Sequence, residues 1–483
     1  MKKIMSVFLI LLMLAIPLVS CMDSKDGEDT GANTNGETVG DGSGDSADSG
    51  SAEPNDAVLE IPNERFDGTE FTFLTPSIVT YCYAIADFDE PSEDPYEQAL
   101  YQRNLAIEEQ FGITVSHVES NIGADVYGVF KTDVDAGAHS YDVCFNNMTS
   151  SCIAVGAGYC YDIDEFEYID LDKTWWNDDC SNQLSLGGKH YMVAGDIALS
   201  DKEGLWACYF IKDFITDLGL ENPYELVNNN QWTLEKMYEM AQIAAFDENA
   251  DGKMDNNDRW GICTHHENWA ATWQSAGLKL IEVDDDGIPQ ITWGSEQFND
   301  VYAKTAEVMG DTDVVSPTDI TFITTALKNG KTLFGTEIVA FIRDYRNNEP
   351  EFGILPYPKY NSDVDEYYSF IVTNSCVLTI GKDCMDTYKT GIIVEAMAAK
   401  GHDIIMPVYF ESQLKSRFSR DEESSAMLDI IFEHRSYDLG VFFDWGGAYS
   451  LLQSESVNPA TVFSSLERSI ERSIGKSLSK IGL

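Results

Sequence analysis

The sequence predicts an α/β protein built from more than one domain, and three observations carry that expectation. Strand-like and helix-like segments alternate from residue 70 onward, the pattern of a parallel sheet covered by helices. Residues 58–483 have ordinary globular composition, rich in aromatics, and exceed the roughly 250–300 residues at which a single core stops growing. After the N-terminus, no stretch approaches the roughly 20 apolar residues a bilayer helix needs, so this part is expected to fold in water.

The N-terminus reads differently. Lys2 and Lys3 precede an almost wholly apolar run over 4–19, the layout of a secretion signal rather than a permanent span. The run ends in Leu18-Val19-Ser20-Cys21, which is similar to a lipobox. Residues 1–20 are therefore expected to be a signal peptide and Cys21 the lipidated residue, a membrane anchor carrying diacylglycerol and palmitate-type chains. Residues 22–56 are nearly all Gly, Ser, Asp, Asn, Thr and Glu, with no aromatics. Such a segment cannot bury enough apolar surface to offset its ordering entropy, so 21–57 is expected to be a lipidated cysteine and a disordered acidic tether.

In the body, 70–75 (EFTFLT) alternates as a first strand. Over 94–111, Tyr96, Leu100, Ile107 and Phe111 form one stripe, and Gly112 is placed to end the helix. Residues 113–119 and 141–145 read as second and third strands. Thr233 is the expected N-cap of a helix whose buried face is Leu234, Met237, Ala241 and Ala244. A last amphipathic helix starts near Asn458 and runs through Phe463, Leu466, Ile470 and Ile474.

Formal charge is -51, from 82 acidic against 31 basic residues. Nucleic-acid binding needs basic surface to displace counterions, so that class is excluded, as is lying flat on anionic lipid. Ten cysteines, less Cys21, leave an odd number and no C-x-x-C pair. Most are expected to be small buried hydrophobes, with a disulfide or two left open.

Several stretches together resemble the extracellular solute-binding proteins (family 1) of carbohydrate-type ABC importers, the class that includes the maltose-binding proteins. They are Asn104 with Ile107-Glu108-Glu109-Gln110-Phe111-Gly112-Ile113-Thr114-Val115, Tyr141-Asp142-Val143, and Gly187-Gly188-Lys189 with Gly195-Asp196. Asn222-Pro223-Tyr224-Glu225-Leu226 with Trp232-Thr233, Gly330-Lys331 with Phe352-Gly353-Ile354-Leu355-Pro356, and Tyr437-Asp438 to Trp445-Gly446 continue the series. The resemblance implies a two-lobed periplasmic-binding-protein type II fold, each lobe a mostly parallel sheet flanked by helices, with the ligand cleft between lobes. It implies lobe one at 68–195 plus 372–420 and lobe two at 200–371 plus 421–483.

A sugar presents apolar C–H faces and a rim of hydroxyls, so its site needs aromatic plates with amides, carboxylates or Arg beside them. Loops at the carboxyl ends of strands are where open α/β sheets bind ligands. That rule selects Tyr81 and Tyr83 after the first strand, and Asn146, Asn147 and Thr149 after the third. Position in the family adds Asp196, Glu337, Arg343, Asp444 and Trp445. Trp269 and Trp273, four apart on an expected helix, are further plates. Trp445 is the leading plate, because Gly446 and Gly447 let backbone come close.

The sharpest local motif is 247–258. Asp247, Asn249, Asp251, Asp255 and Asp258 stand at loop positions 1, 3, 5, 9 and 12, with Gly252 at 6 and the Lys253 backbone at 7. This resembles an EF-hand-type calcium loop, departing from it where Asp258 replaces the usual bidentate Glu. The expected cofactor is a structural Ca2+, with none catalytic. His265-His266-Glu267 invites a metal reading, but adjacent histidines in a strand point to opposite faces and rarely share one ion, and the H-E-x-x-H spacing of a zinc site is missing. No G-x-S-x-G, P-loop or dinucleotide fingerprint occurs.

The expected function is binding, not catalysis: a lipid-anchored extracytoplasmic protein that captures a small solute, a mono- or oligosaccharide, by hinge closure and hands it to permease subunits. The alternative is a surface carbohydrate-active hydrolase with paired carboxylates, and after it an adhesive or structural lipoprotein.

Overall fold

The computed structural model describes residues 58–76, 91, 93–120, 126–316, 320–345, 350–411 and 422–483. The chain divides into Met1–Glu53 and Pro54–Leu483, and every described residue belongs to the second unit. The expected signal, Cys21 and the tether lie outside the described residues, as do Tyr81 and Tyr83.

The strands, in chain order, are β1 (Glu70–Pro76), β2 (Thr114–Ser120), β3 (Val143–Asn147), β4 (Trp206–Ile211), β5 (Trp260–Cys263), β6 (Ile281–Val283), β7 (Pro289–Ile291), β8 (Thr332–Ile338), β9 (Phe352–Pro356), β10 (Ser369–Phe370), β11 (Cys376–Thr379) and β12 (Arg435–Ser436). They build two four-stranded sheets, ordered β11-β3-β1-β2 and β5-β8-β4-β9. In the first, β1 is parallel to β2 and β3, and β11 returns antiparallel on β3. In the second, β5 is parallel to β8, while β4 runs antiparallel to both β8 and β9. Two short pairs complete the set: a β6–β7 hairpin, and β10 parallel to β12.

Local chemistry accounts for the first βαβ unit. Asp94 Oδ1 accepts from the N–H groups of Tyr96 and Glu97, which caps the helix Pro95–Phe111. Gly112, at φ 71°, stops it and donates its N–H to the Glu108 carbonyl at 2.8 Å. The third strand starts two residues later than its sequence suggests and runs on to Asn147. Asp142 explains the shift: its carboxylate takes the Thr72 N–H at 2.9 Å and its own N–H donates to the Thr72 carbonyl at 2.8 Å. Only after that exchange does the regular ladder begin, at Phe73 opposite Val143.

Side-chain alternation then divides the core into three clusters. Phe71, Phe73, Val143 and Phe145 face the helices Pro95–Phe111 and Thr387–Lys400. Cys208, Phe210, Phe334 and Leu355 face the helix Leu234–Ala244, which Thr233 caps and which buries Leu234, Met237, Ala241 and Ala244. The opposite faces of both sheets, through Leu74 and Cys144 on one and Ala207, Tyr209 and Ile354 on the other, belong to one shared cluster. The C-terminal helix Pro459–Lys480, capped by Asn458, joins that cluster through Ile470 and Ile474. It also lies against the helix Met148–Gly156: a Cβ at Gly158, whose φ is 81°, would come 2.7 Å from the Lys480 carbonyl oxygen. Cys144, Cys152, Cys160, Cys180, Cys208, Cys263 and Cys384 are free thiols, and Cys376 is disulfide-bonded. Burial pushes the Cys160 thiol up to about 12, which keeps it protonated and inert.

Candidate functional site

Two stretches of chain, 195–206 and 369–376, pass between the sheets side by side. Val372 donates its N–H to the Gly204 carbonyl at 3.0 Å, and Leu205 is bridged to Ile371. Ser375 Oγ donates to the Ser200 carbonyl at 2.7 Å, and the Cys376 N–H donates to Ser200 Oγ. Strand ends from both sheets meet this crossover. At the end of β3, Asn146 and Asn147 pair with Val377 and Cys376, and the Met148 N–H reaches the Ser375 carbonyl at 2.8 Å. Beyond β5, Glu267 Oε1 accepts from the Thr373 N–H at 3.2 Å and the Thr373 hydroxyl at 2.7 Å. Residues from the two sheets thus converge on Thr373, Ser375, Cys376 and Val377, at the end of the second crossover and the start of β11, the arrangement an inter-lobe binding site requires.

His265 and His266 belong to this convergence, and their expected geometry is corrected. They lie not in a strand but in the turn between β5 and the helix Asn268–Ser275, with ring centroids 3.7 Å apart. The chain leaves its extended conformation at Cys263, so strand alternation no longer separates the two rings. His265 also lies 6.4 Å from the Trp206 ring, and Trp206 Nε1 is buried with no hydrogen-bond partner.

A charged network braces the crossover. Asp196 lies 2.8 Å from Lys202 Nζ and 2.6 Å from His402 Nδ1. Lys202 also bonds Asp201 at 2.9 Å, and Asp201 in turn accepts from Arg435 at 3.1 Å and from the Asn177 amide at 2.9 Å. Burial works against the Asp196 carboxylate, but Lys202 and His402 hold it below its ordinary range, and Asp196 raises the His402 imidazolium in return. Asp196 is thereby committed to protein partners on both oxygens.

No sequence-family profile matches the chain, and no curated protein does. Solved structures do match. One is an ABC substrate-binding protein from Listeria monocytogenes in complex with cycloalternan, 14% identical, covering 85% of this chain and 100% of that one at a TM-score of 0.55. A second is a maltose/maltodextrin-binding domain from Bdellovibrio bacteriovorus bound to maltotriose, 14% identical, covering 84% and 100% at 0.55. A third is a cyclic α-maltosyl-1,6-maltose binding protein from Arthrobacter globiformis, 13% identical, covering 84% and 99% at 0.57. The fold is the two-lobed periplasmic-binding-protein fold.

Within that fold the sequence-selected residues have distinct placements. Asn147 caps the helix Met148–Gly156 by accepting from the Ser150 N–H at 2.8 Å, and Asn146 Oδ1 accepts from the Asn147 N–H. Thr149 is half-buried in the first turn of that helix. Trp269 and Trp273 do lie on one helix, and both are buried: Trp269 packs on Tyr302 at 4.9 Å, Trp273 on Phe298 at 5.6 Å. Glu337 is fully buried in β8 opposite Ala207, and Arg343 lies in the 3-10 turn Val339–Tyr345 after it. Asp444, at φ 42°, takes the Tyr449 N–H on Oδ1 and the Ser450 hydroxyl on Oδ2. Trp445 stacks on Phe443 and donates Nε1–H to Ser477 Oγ at 3.1 Å. Of the selected residues, Asn146, Asn147 and Asp196 meet the crossover directly. Trp206, Glu267 and Thr373 were not selected. Glu267 follows a strand end as Asn147 does, so the rule that chose Asn147 could have chosen it.

The loop 247–258 closes on itself. Gly252, at φ 79°, donates its N–H to Asp247 Oδ2 at 2.8 Å, and Asn249, Asp251 and Asp255 each accept from the N–H two residues on. Asp258 is fully buried and accepts from the Glu248 and Asp255 N–H groups. Asp247 Oδ1 is buried without a partner, whereas Lys253 is exposed. Among the described residues, no three His, Cys, Asp or Glu side chains are drawn together as a metal cluster, and no helix is long and apolar enough to cross a membrane.

Proposed function

We propose that this chain is the solute-binding component of a carbohydrate ABC importer, anchored through Cys21 to the outer face of the cell membrane. It captures a mono- or oligosaccharide between its lobes and delivers it to permease subunits, without catalysing a reaction. The observation that carries this reading is that Asn146 and Asn147, at the end of β3, and Glu267, just beyond β5, all reach residues 373–377, where the second crossover runs into β11. Amides and a carboxylate are the groups that read sugar hydroxyls. Proteins of the same fold were solved with cycloalternan and maltotriose, which supports the choice of solute class.

The test is a melting screen of the full chain against a sugar library. A solute that binds only the native state raises the melting point by mass action, about 2.7 kcal/mol at one hundred times its Kd. No rise with any sugar in the library would overturn the sugar assignment, and turnover of a glycan would favour the hydrolase. Mass spectrometry of Cys21→Ala tests the anchor: acylation persisting in the variant rules out Cys21 as the lipidated residue.

We also propose that 247–258 holds a structural calcium ion. The loop register, the left-handed Gly252 and the unpartnered Asp247 Oδ1 support it.

A further inference from the structure

A cavity of about 210 Å³ lies beside the β10–β12 pair and shares no wall with the meeting of Asn147, Glu267 and Thr373. It is larger than one water needs and smaller than the roughly 300 Å³ at which pockets for drug-sized ligands begin, so it admits a molecule of a few heavy atoms. Gln274 is the informative wall residue. Its side chain is 99% buried, and neither amide atom has a hydrogen-bond partner. A buried amide left unpaired on both atoms is costly, and native proteins rarely keep one without a use.

The other walls are mostly donors. Lys279 Nζ spends one hydrogen on Gln183 Oε1 at 2.7 Å and makes no ion pair among the described residues, although Asp438, Glu282 and Asp179 lie near enough to act on its charge. Arg435 pairs with Asp201 through one terminal nitrogen, while its Nε–H is buried and unpartnered. Of the two acids that line the cavity, Asp179 is already engaged: Gln183 donates to one oxygen at 2.9 Å and the Arg435 N–H to the other at 3.0 Å. Glu282 is exposed at the rim.

We propose that this cavity binds a small carboxylate that carries a hydrogen-bond donor beside it, a hydroxy acid or amino acid of a few carbons. The carboxylate takes hydrogens from Lys279 Nζ, Arg435 Nε and Gln274 Nε2. The neighbouring hydroxyl or ammonium donates to Gln274 Oε1, so one ligand satisfies both ends of the amide. The helix Asn268–Ser275 ends at this wall and its negative pole opposes an anion, but a helix end acts weakly beside two charge-assisted donors.

This proposal stands apart from the sugar reading. It is tested by calorimetry on the full chain without sugar, using lactate and alanine as probes and lactamide as the neutral control. Lactate or alanine binds one to one, and lactamide binds at least about tenfold more weakly, the loss of one charge-assisted contact. Lys279→Met and Gln274→Leu each lower affinity by a similar factor. Lys279→Met, at a half-buried position, keeps the wild-type melting point even if the Gln274 variant folds poorly. Affinity holds as salt rises from about 0.05 to 0.5 M, because partly buried charges are screened little. Absence of heat with either probe, full affinity in Lys279→Met, equal binding of lactamide, or affinity lost in salt would each overturn the assignment.

Discussion

The Trp445 indole lies against Phe443 with centroids 4.1 Å apart and rings 15° from parallel, and its N–H is spent on Ser477 of the C-terminal helix. One face of this ring is covered by Phe443, and the residue is 6% exposed. Trp445→Ala is therefore expected to cost about 3–5 kcal/mol in stability, the range for emptying a core aromatic site. The denaturant midpoint measures it, and unchanged stability with lost sugar affinity would return Trp445 to the cleft. A second residue-scale expectation concerns Glu395, which accepts from Trp175 Nε1 at 3.0 Å and from Trp176 Nε1 at 2.9 Å. Burial pushes its carboxyl up from 4.5 to about 7, against the pull of those donors. A group raised on folding binds its proton more tightly in the native state. Its contribution is thus full below about pH 4.5 and lost as pH rises through about 7. Gln mimics the protonated carboxyl, so wild type and Glu395→Gln should melt alike at the low end of that window, and wild type should become the less stable of the two as pH rises through it; a constant difference would show that Glu395 does not titrate there. The sequence shows Trp445 beside two glycines, but which way the ring turns is decided by its stacking on Phe443 and its hydrogen bond to Ser477, a residue far along the chain.

Elements whose signals are local were legible in the sequence. Asp94, Thr233 and Asn458 cap helices because a short side-chain oxygen reaches its own first turn. The pairs β10–β12 and β11–β3 left no such mark: Ser369-Phe370 and Cys376 to Thr379 become strands only because distant chain supplies their partners. The histidine turn was misread for a related reason. Apolar alternation continues toward His265, but the ladder ends at Cys263 and the chain turns at His266 and Glu267 into the helix Asn268–Ser275. The loop 247–258 carries a prediction at this scale. Calcium should raise the melting point, and Asp251→Ala should abolish the rise by removing a ligand at position 5. Identical melting of wild type in calcium and in chelator would leave the loop a turn held by its own Asx hydrogen bonds.

At the scale of the whole molecule, alternation of strand and helix was enough for an α/β body, but the route between sheets was not written in local pattern. It came from the family resemblance, since the return of β11 to β3 depends on contacts between parts of the chain far apart in sequence. That route sets the mechanics. The sheets are joined by the paired crossovers 195–206 and 369–376, held together by Gly204–Val372 and Ser200–Ser375 contacts. A solute touching Asn147 on one side and Glu267 on the other has more partners when the lobes approach. Closure needs that difference, because a ligand with equal affinity for open and closed forms shifts nothing; moving the balance from 1:99 to 99:1 takes about 5.5 kcal/mol. If the chain binds a sugar as proposed, that sugar should therefore lower the radius of gyration in small-angle scattering. Glu267→Gln keeps an acceptor for Thr373 but removes the charge, so it should weaken sugar binding by about 1.5–3 kcal/mol, the range for a charged hydrogen bond, with little loss of stability. Sugar binding with no change in scattering would mean that the lobes do not close, and full affinity in Glu267→Gln would place the solute away from the crossover.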